Sequence, residues 1–293
     1  GRFETPEARI GLGHTRLSIL DLSPAGPQPM RDPATGVTII FNGEIYNFRE
    51  LATSLEGSGV AFRGNSDTGV LLQLYLSEGQ GLLGRLNGIF AFAIWDPRVG
   101  ELFIARDAFG VKPLYLHESA RGLAFASELK ALLPFLGSRR LDPVALHGYL
   151  GMLWCPGEGT PFREVRKLGP GEALTVRGGQ VRKRWTWARA AAATTVPEEN
   201  MTMPEAVDGV LSTLRQAVRR QMVADVPVGA FLSGGLDSSA VVAFAREVDP
   251  SIRCFTIRRF KACRVRPKSL AASTMLPAAA SASRQSCRSA AAR

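Results

Sequence analysis

The stretch IFAFAIWDPRVGELFIARD, residues 89–107, decides the fold of the first part of this chain. Two apolar runs of strand length, 89–96 and 101–107, are joined only by Pro97, Arg98, Val99 and Gly100. Parallel strands need a crossover of about a dozen residues or more, so this connection is a hairpin and the strands are antiparallel. VTIIFN (37–42) and GLAFAS (122–127) read as further strands. NFRELATSLEGSG (47–59) and SDTGVLLQLYLSEG (66–79) read as helices, the second capped by Asn65 or Ser66. LDPVALHGYLGM (141–152) reads as a helix with Asp142 at the N-cap and Pro143 at the first helical position. KLGPGEALTVRGGQVRKRWTW (167–187) adds a hairpin with turns at 169–171 and 178–179. Strands joined by tight turns, with helices elsewhere, predict an antiparallel α+β domain rather than repeated βαβ units.

A change of character follows. ARAAAATTVPEEN (188–200) has the composition of a linker, and a second domain begins at TMPEAVDGVLSTLRQAVRRQMVADV (202–226). Thr202 and Glu205 fit a capping box, and Val207, Val210, Leu211, Leu214 and Val218 recur at helical spacing. VPVGAFL (226–232), SSAVVAFARE (238–247) and IRCFTI (252–257) then read as strand, helix and strand, the start of a parallel sheet.

Between the first of these strands and the helix lies SGGLDSS (233–239). A strand-to-helix turn presents backbone N–H groups and the positive end of a helix dipole, which suits an anion. Ser233, Ser238 and Ser239 can donate to phosphate oxygens, and Asp237 can help hold Mg²⁺. The loop has no lysine, so it is not the GxxxxGK[ST] type. A plain Gly/Ser turn before an amphipathic helix is the alternative reading of the same residues.

Composition excludes several classes. The net charge is +10, but residues 258–293 carry nine Lys/Arg and no acid, which leaves 27 bases against 26 acids in the rest. A nucleic-acid footprint would be a basic face on a folded domain, so none is expected. The longest apolar runs are too short to span a bilayer, and no signal segment opens the chain; a cytoplasmic location is the default expectation. Cys155, Cys254, Cys263 and Cys287 form no CxxC pair, and neither a metal cluster nor a disulfide scaffold is expected.

Beyond these readings, the loop SGGLDSS resembles the PP-loop of ATP pyrophosphatases. GHTRLSILD (13–21), FNGEIYNF (41–48), NSDTGVLL (65–72), GIFAFAIWD (88–96) and ARDAFGVKPLY (105–115) are similar to class II glutamine amidotransferases. In this order, over residues 5–257, the motifs resemble the glutamine-hydrolysing asparagine synthetase family. The resemblance implies an Ntn-hydrolase-type αββα sandwich of antiparallel sheets over residues 1–187, a linker at 188–200, and the start of an α/β PP-loop domain at 201–257. It implies ATP-dependent amidation of aspartate with glutamine as ammonia donor, ATP and Mg²⁺ as cofactors, and a homodimer as a possible assembly. Arg16, Leu17, Ser18, Ile19 and Leu20 would bind glutamine, with Arg16 on its α-carboxylate. Asn42 and Gly43 would form the oxyanion hole, and Glu44 and Asp67 would contact the α-ammonium. Leu232, Ser233, Gly234, Gly235, Leu236, Asp237, Ser238, Ser239 and Ile257 would contact ATP, with Asp237 on the metal. A relative that adenylates a different carboxylate, or a non-catalytic remnant, is the competing expectation.

Three departures from the family pattern accompany the resemblance. The family's nucleophile is an N-terminal cysteine with a free amine, whereas this sequence starts with Gly1, so the chain is expected to be an inactive fragment. Gly69 stands where the family shows Glu. After IRCFTI the resemblance ends, and the Arg/Ala/Ser-rich residues 258–293 are expected to be disordered or read from a shifted frame.

Overall fold

The computed structural model describes residues 1–5, 10–15, 28–62, 64–188 and 202–256. The described residues divide into two compact units, one drawn from 1–228 with 243–252 and the other from 229–242 with 253–256. Residues 189–200 of the linker predicted at 188–200, and the basic residues 258–293, lie outside the described residues.

The first unit opens with strands β1 (Arg2–Thr5) and β2 (Ile10–Gly13), paired antiparallel. Strands β3 (Met30–Arg31) and β4 (Thr38–Ile45) follow, then helices α1 (Phe48–Glu56) and α2 (Asp67–Glu78) and a 3₁₀ segment, Gly79–Arg85. The predicted hairpin is β5 (Gly88–Asp96) with β6 (Glu101–Arg106), paired from Ala91 opposite Arg106 to Asp96 opposite Glu101. Next come β7 (Tyr115–Ser119), β8 (Gly122–Ala126), a 3₁₀ segment at Leu129–Phe135, α3 (Pro143–Met152) and β9 (Arg166–Lys167). The second hairpin is β10 (Glu172–Arg177) with β11 (Gln180–Thr186), turning through Gly178 and Gly179 at φ +59° and +77°. Positive φ at both central residues is what a two-residue hairpin turn requires.

Six of these strands form one antiparallel sheet in the order β11-β10-β6-β5-β4-β3, and three form a second, β8-β7-β9. The central strands are apolar on both faces, and the two faces differ in size. Phe90, Phe92 and Ile94 of β5 and Phe103 of β6 face helices α1 and α2, where Leu51, Leu55, Leu71 and Leu74 pack against them. Ala91, Ala93 and Trp95 face the other way, toward Leu114 and Leu116 of the second sheet and Leu12 of β2. The result is a helix layer on a sheet on a second sheet, an α+β architecture with antiparallel sheets. On the helix side the aromatics interlock: Trp185 stacks on Phe103 at 6.0 Å between ring centres, and Trp187 on Phe90 at 5.8 Å.

Helix ends follow the capping chemistry of the sequence. Ser66 Oγ accepts the Gly69 N–H, and Asp142 accepts the N–H groups of Val144 and Ala145. Helix α4 (Met203–Gln221) begins with the Thr202 N–H donating to the Glu205 carboxylate at 2.8 Å. Its apolar stripe is only partly covered. Val218 is buried, but Val207, Val210 and Leu211 are exposed. No helix among the described residues is long and apolar enough to cross a membrane.

The second unit is small. Strands β12 (Gly229–Phe231) and β13 (Arg253–Phe255) run parallel, connected through helix α5 (Leu236–Val248), as the strand–helix–strand pattern predicts. Parallel strands are normally covered on both faces, yet Phe231 is 84% exposed and Phe255 45%. Leu232, the last residue of the predicted strand VPVGAFL, is half-buried beside them, because a two-stranded ladder covers little of either face.

Phe103 is fully buried between the two sheet-face aromatics and Tyr75. Phe103→Ala is expected to destabilise the first unit by about 3–5 kcal/mol. Urea unfolding followed by tryptophan fluorescence checks this, because Trp185 rests on the deleted ring.

Candidate functional site

A cavity of about 720 Å³ opens where β4 emerges beyond the two-residue strand β3. It is lined by Asn42, Gly43 and Glu44 of β4 and by Asp67 and Thr68 at the start of α2. Gln28, His14, Lys112 and Ser127 are among its other polar lining residues, and Ala91, Ala93, Leu114 and Phe125 among its apolar ones. Four glutamine-contact residues proposed from the sequence, Asn42, Gly43, Glu44 and Asp67, are therefore brought to one cavity. Arg16, Leu17, Ser18, Ile19 and Leu20 lie outside the described residues, as does Ile257.

Each of these residues is held by its strand or helix. Asn42 donates from Nδ2 to Ser127 Oγ at 3.2 Å, which fixes the side-chain amide across the gap between the sheets. At Gly43 a Cβ would collide with the Ile89 carbonyl oxygen, and at Gly88 with that of Glu44. Only glycine permits this close approach of β4 and β5. Glu44 is half-buried, and burial raises its carboxyl pKa above 4.5 against a smaller opposing effect of Lys112. Asp67 is buried, accepting the Ile45 N–H on Oδ2 at 3.2 Å and the Thr68 N–H on Oδ1 at 2.8 Å. The helix cap expected of this segment is supplied by Ser66, so Asp67 is left to the cavity. Gly69 sits in the first turn of α2 with its N–H on Ser66.

The loop that carries Lys112 is held by two side chains to which the sequence reading gave no role. Asp107 is fully buried and accepts four backbone N–H groups, from Phe90 (3.2 Å), Phe109 (3.1 Å), Val111 (2.9 Å) and Lys112 (3.0 Å). Arg106 donates to the carbonyls of Lys112 at 2.7 Å, Gly110 at 2.6 Å and Leu168. Burial lowers its pKa from the ordinary arginine value, with the neighbouring Asp107 charge opposing. The pair thus folds ARDAFGVK into a rigid loop that delivers Lys112 to the cavity. A charged pair continuing an apolar strand was the available signal, but its partners are brought by tertiary structure.

In the second unit, Gly234 at φ +81° opens the SGGLDSS turn, and the serines converge on its backbone. Ser233 Oγ and Ser238 Oγ lie 2.9 Å apart, and Ser239 Oγ donates to the Gly235 carbonyl at 2.7 Å. Asp237 is exposed in the first turn of α5. Among the described residues no group of three or more His, Cys, Asp or Glu is placed to hold a metal ion. Among the described residues Cys155 and Cys254 form no disulfide, and neither lines the cavity.

The glutamine amidotransferase domain model matches residues 3–187, more than half of the chain. The chain belongs to the glutamine amidotransferase family. An asparagine synthase model matches residues 209–276. This second match runs past Ile257, so the similarity is not confined to residues 5–257. Asparagine synthetase [glutamine-hydrolyzing] 1 of Bacillus subtilis is 37% identical over 252 residues, covering 86% of this chain and 39% of that protein. Asparagine synthetase [glutamine-hydrolyzing] 3 of the same organism is 39% identical over 248 residues, 82% of this chain and 39% of its own. Amidase chry2 of Gibberella zeae is 32% identical, covering 88% of this chain and 40% of the relative. The chain thus spans about two fifths of the length of these relatives. Among solved structures, the PRPP amidotransferase of B. subtilis aligns with 90% of this chain and 56% of its own at 19% identity and a TM-score of 0.44.

Two expectations follow for the cavity. Asp107→Ala leaves four amides without their acceptor, and each buried unsatisfied N–H costs roughly 1–3 kcal/mol; urea unfolding is expected to show a loss of several kcal/mol. Glu44 titrates with a pKa raised in the folded chain. The stability its protonated form contributes is fully present below about pH 4.5 and is lost as pH rises through the folded value. Glu44→Gln removes that loss, so the variant should gain stability relative to the parent as pH rises above about 4.5, measured by thermal melting.

Proposed function

We propose that the first unit binds glutamine and releases its amide nitrogen, and that the second binds ATP for an amide-forming ligase of asparagine synthase type. The observation that carries this reading is the meeting of Asn42, Gly43, Glu44 and Asp67 on one cavity, in a chain whose later residues match asparagine synthase. Asn42 Nδ2 and the Gly43 N–H are oriented donors for the oxyanion that forms when a nucleophile attacks a carboxamide. Glu44 and Asp67 supply negative charge for the substrate's α-ammonium, and Arg16, in the Arg16–Leu20 segment, a two-pronged partner for its α-carboxylate. In the full reaction, ATP would activate aspartate as an acyl-adenylate, and ammonia would displace AMP to give asparagine, with pyrophosphate released in the first step.

Residues 232–239 fit the ATP phosphates. The turn is exposed, Gly234 lets the backbone approach closely, and three hydroxyls surround a helix start. Asp237 on that same first turn would help hold a Mg²⁺ ion, whose charge would offset those of the carboxylate and the phosphates. Mg²⁺ bound through one carboxylate and phosphate oxygens needs no larger cluster of acids.

Isothermal titration of the 293-residue chain tests the proposal without requiring turnover. L-glutamine is expected to bind, and Asp67→Asn and Arg16→Ala to weaken it at least about tenfold, or 1.4 kcal/mol. ATP with Mg²⁺ is expected to bind, and Asp237→Asn to reduce its dependence on the metal. Glutamine affinity indifferent to Asp67 and Arg16 would sink the glutamine reading, and ATP affinity indifferent to residues 233–239 the nucleotide one.

A further inference from the structure

The N–H groups of β4 point alternately to its two neighbours. That of Tyr46 crosses to Asn87 at the start of β5, so the odd-numbered residues aim theirs at the opposite, β3 edge. Strand β3 pairs only with Thr38 and Ile39, and beyond it side chains take over. The Phe41 N–H donates to Gln28 Oε1 at 2.6 Å, and the Ile45 N–H to Asp67 Oδ2 at 3.2 Å. These two acceptors are tied together. Gln28 Nε2 donates to Thr68 Oγ1 at 3.3 Å, and the Thr68 N–H donates to Asp67 Oδ1 at 2.8 Å. Gln28, Thr68 and Asp67 are all buried. One polar relay therefore clamps β4 immediately before Asn42 and immediately after Glu44. The Gly43 N–H lies on the same edge, midway between the two clamps.

We propose that Gln28 is a positioning residue for the amide-hydrolysing site, setting the aim of Asn42, Gly43 and Glu44 through its bridge between Phe41 and Thr68. The inference rests on the reading of the cavity as a glutamine site. The chemistry asks for a carboxamide. One arm must accept from a backbone N–H while the other donates to a hydroxyl, and no charge can be added beside Glu44 and Asp67. An ionised glutamate meets the first demand and fails the other two, and a methionine of similar bulk fails the first two.

The test uses the full chain labelled with ¹³C′-asparagine and ¹⁵N-glycine. Asn-Gly pairs occur only at 42–43 and 87–88, so two amide signals are read, with Gly88 as the internal reference. Gln28→Met is expected to move the Gly43 signal, leave that of Gly88 in place, and weaken L-glutamine about tenfold. Thr68→Val, which cuts the far end of the bridge together with the long Thr68 Oγ1 contact to Asp67 Oδ1 at 3.5 Å and leaves the Phe41–Gln28 bond in place, is expected to shift Gly43 in the same direction and serves if Gln28→Met does not fold. Gln28→Glu separates positioning from general packing. Its protonated carboxyl restores both bonds, so its Gly43 shift and its glutamine affinity relative to the parent at the same pH should recover on acidification and decline as that carboxyl ionises. A Gly43 signal and affinity unchanged by Gln28→Met, within about twofold, would overturn the proposal, as would a Gln28→Glu chain with no such recovery. A parent that binds no glutamine, but whose Gly43 signal follows residue 28 in this pattern, overturns the glutamine reading and upholds the relay.

Discussion

The buried carboxylate of Asp107 is the constraint on which the first unit depends. A fully buried charge is costly unless its oxygens are satisfied, and here four backbone N–H groups satisfy them. They come from two places far apart in sequence, Phe90 on β5 and the loop that follows β6. The Asp107 carbonyl in turn accepts from Gly171 at the entrance to β10, and Arg106 takes the carbonyls of the same loop and of Leu168. The six-stranded sheet, the second sheet and the loop bearing Lys112 are thereby locked at one point. The cavity wall inherits that rigidity, so Lys112 can moderate the charge on Glu44 from a fixed position.

Much of this was legible in the sequence because it is local. The hairpin at 89–107, the Ser66 and Asp142 caps and the Gly178-Gly179 turn are each dictated by neighbours within a few residues. The site was legible in another way. Asn42, Gly43, Glu44 and Asp67 could be named through the family resemblance, and the structure brings them to one cavity. Spacing alone would not have done so, since Asn42 and Asp67 sit on different elements. Gln28, Thr68, Arg106 and Asp107 were not assigned roles, because what each does depends on partners brought by the fold. Gln28, in a proline-rich stretch of sequence, gives no sign that it will stand in for a missing strand.

The second unit shows the opposite imbalance. Its local signals were clear, and strand, turn and helix form in the order they indicate. What the pattern could not convey is how little apolar surface two parallel strands cover, which leaves Phe231 and Phe255 largely in solvent. The exposed Val207, Val210 and Leu211 of α4 make the same point, since periodicity identifies an apolar stripe without saying that anything lies against it.

The close approach of β4 and β5 at Gly43 and Gly88 has a consequence for the mutational landscape of the chain. Every other amino acid carries a Cβ, so all nineteen replacements at either position begin with the same collision against backbone. Nothing at these positions can be exchanged gradually through a series of increasingly large side chains. A lineage carrying this strand pair can vary the cavity by altering its Ala91 and Ala93 wall, but it has no neutral path through the two glycines.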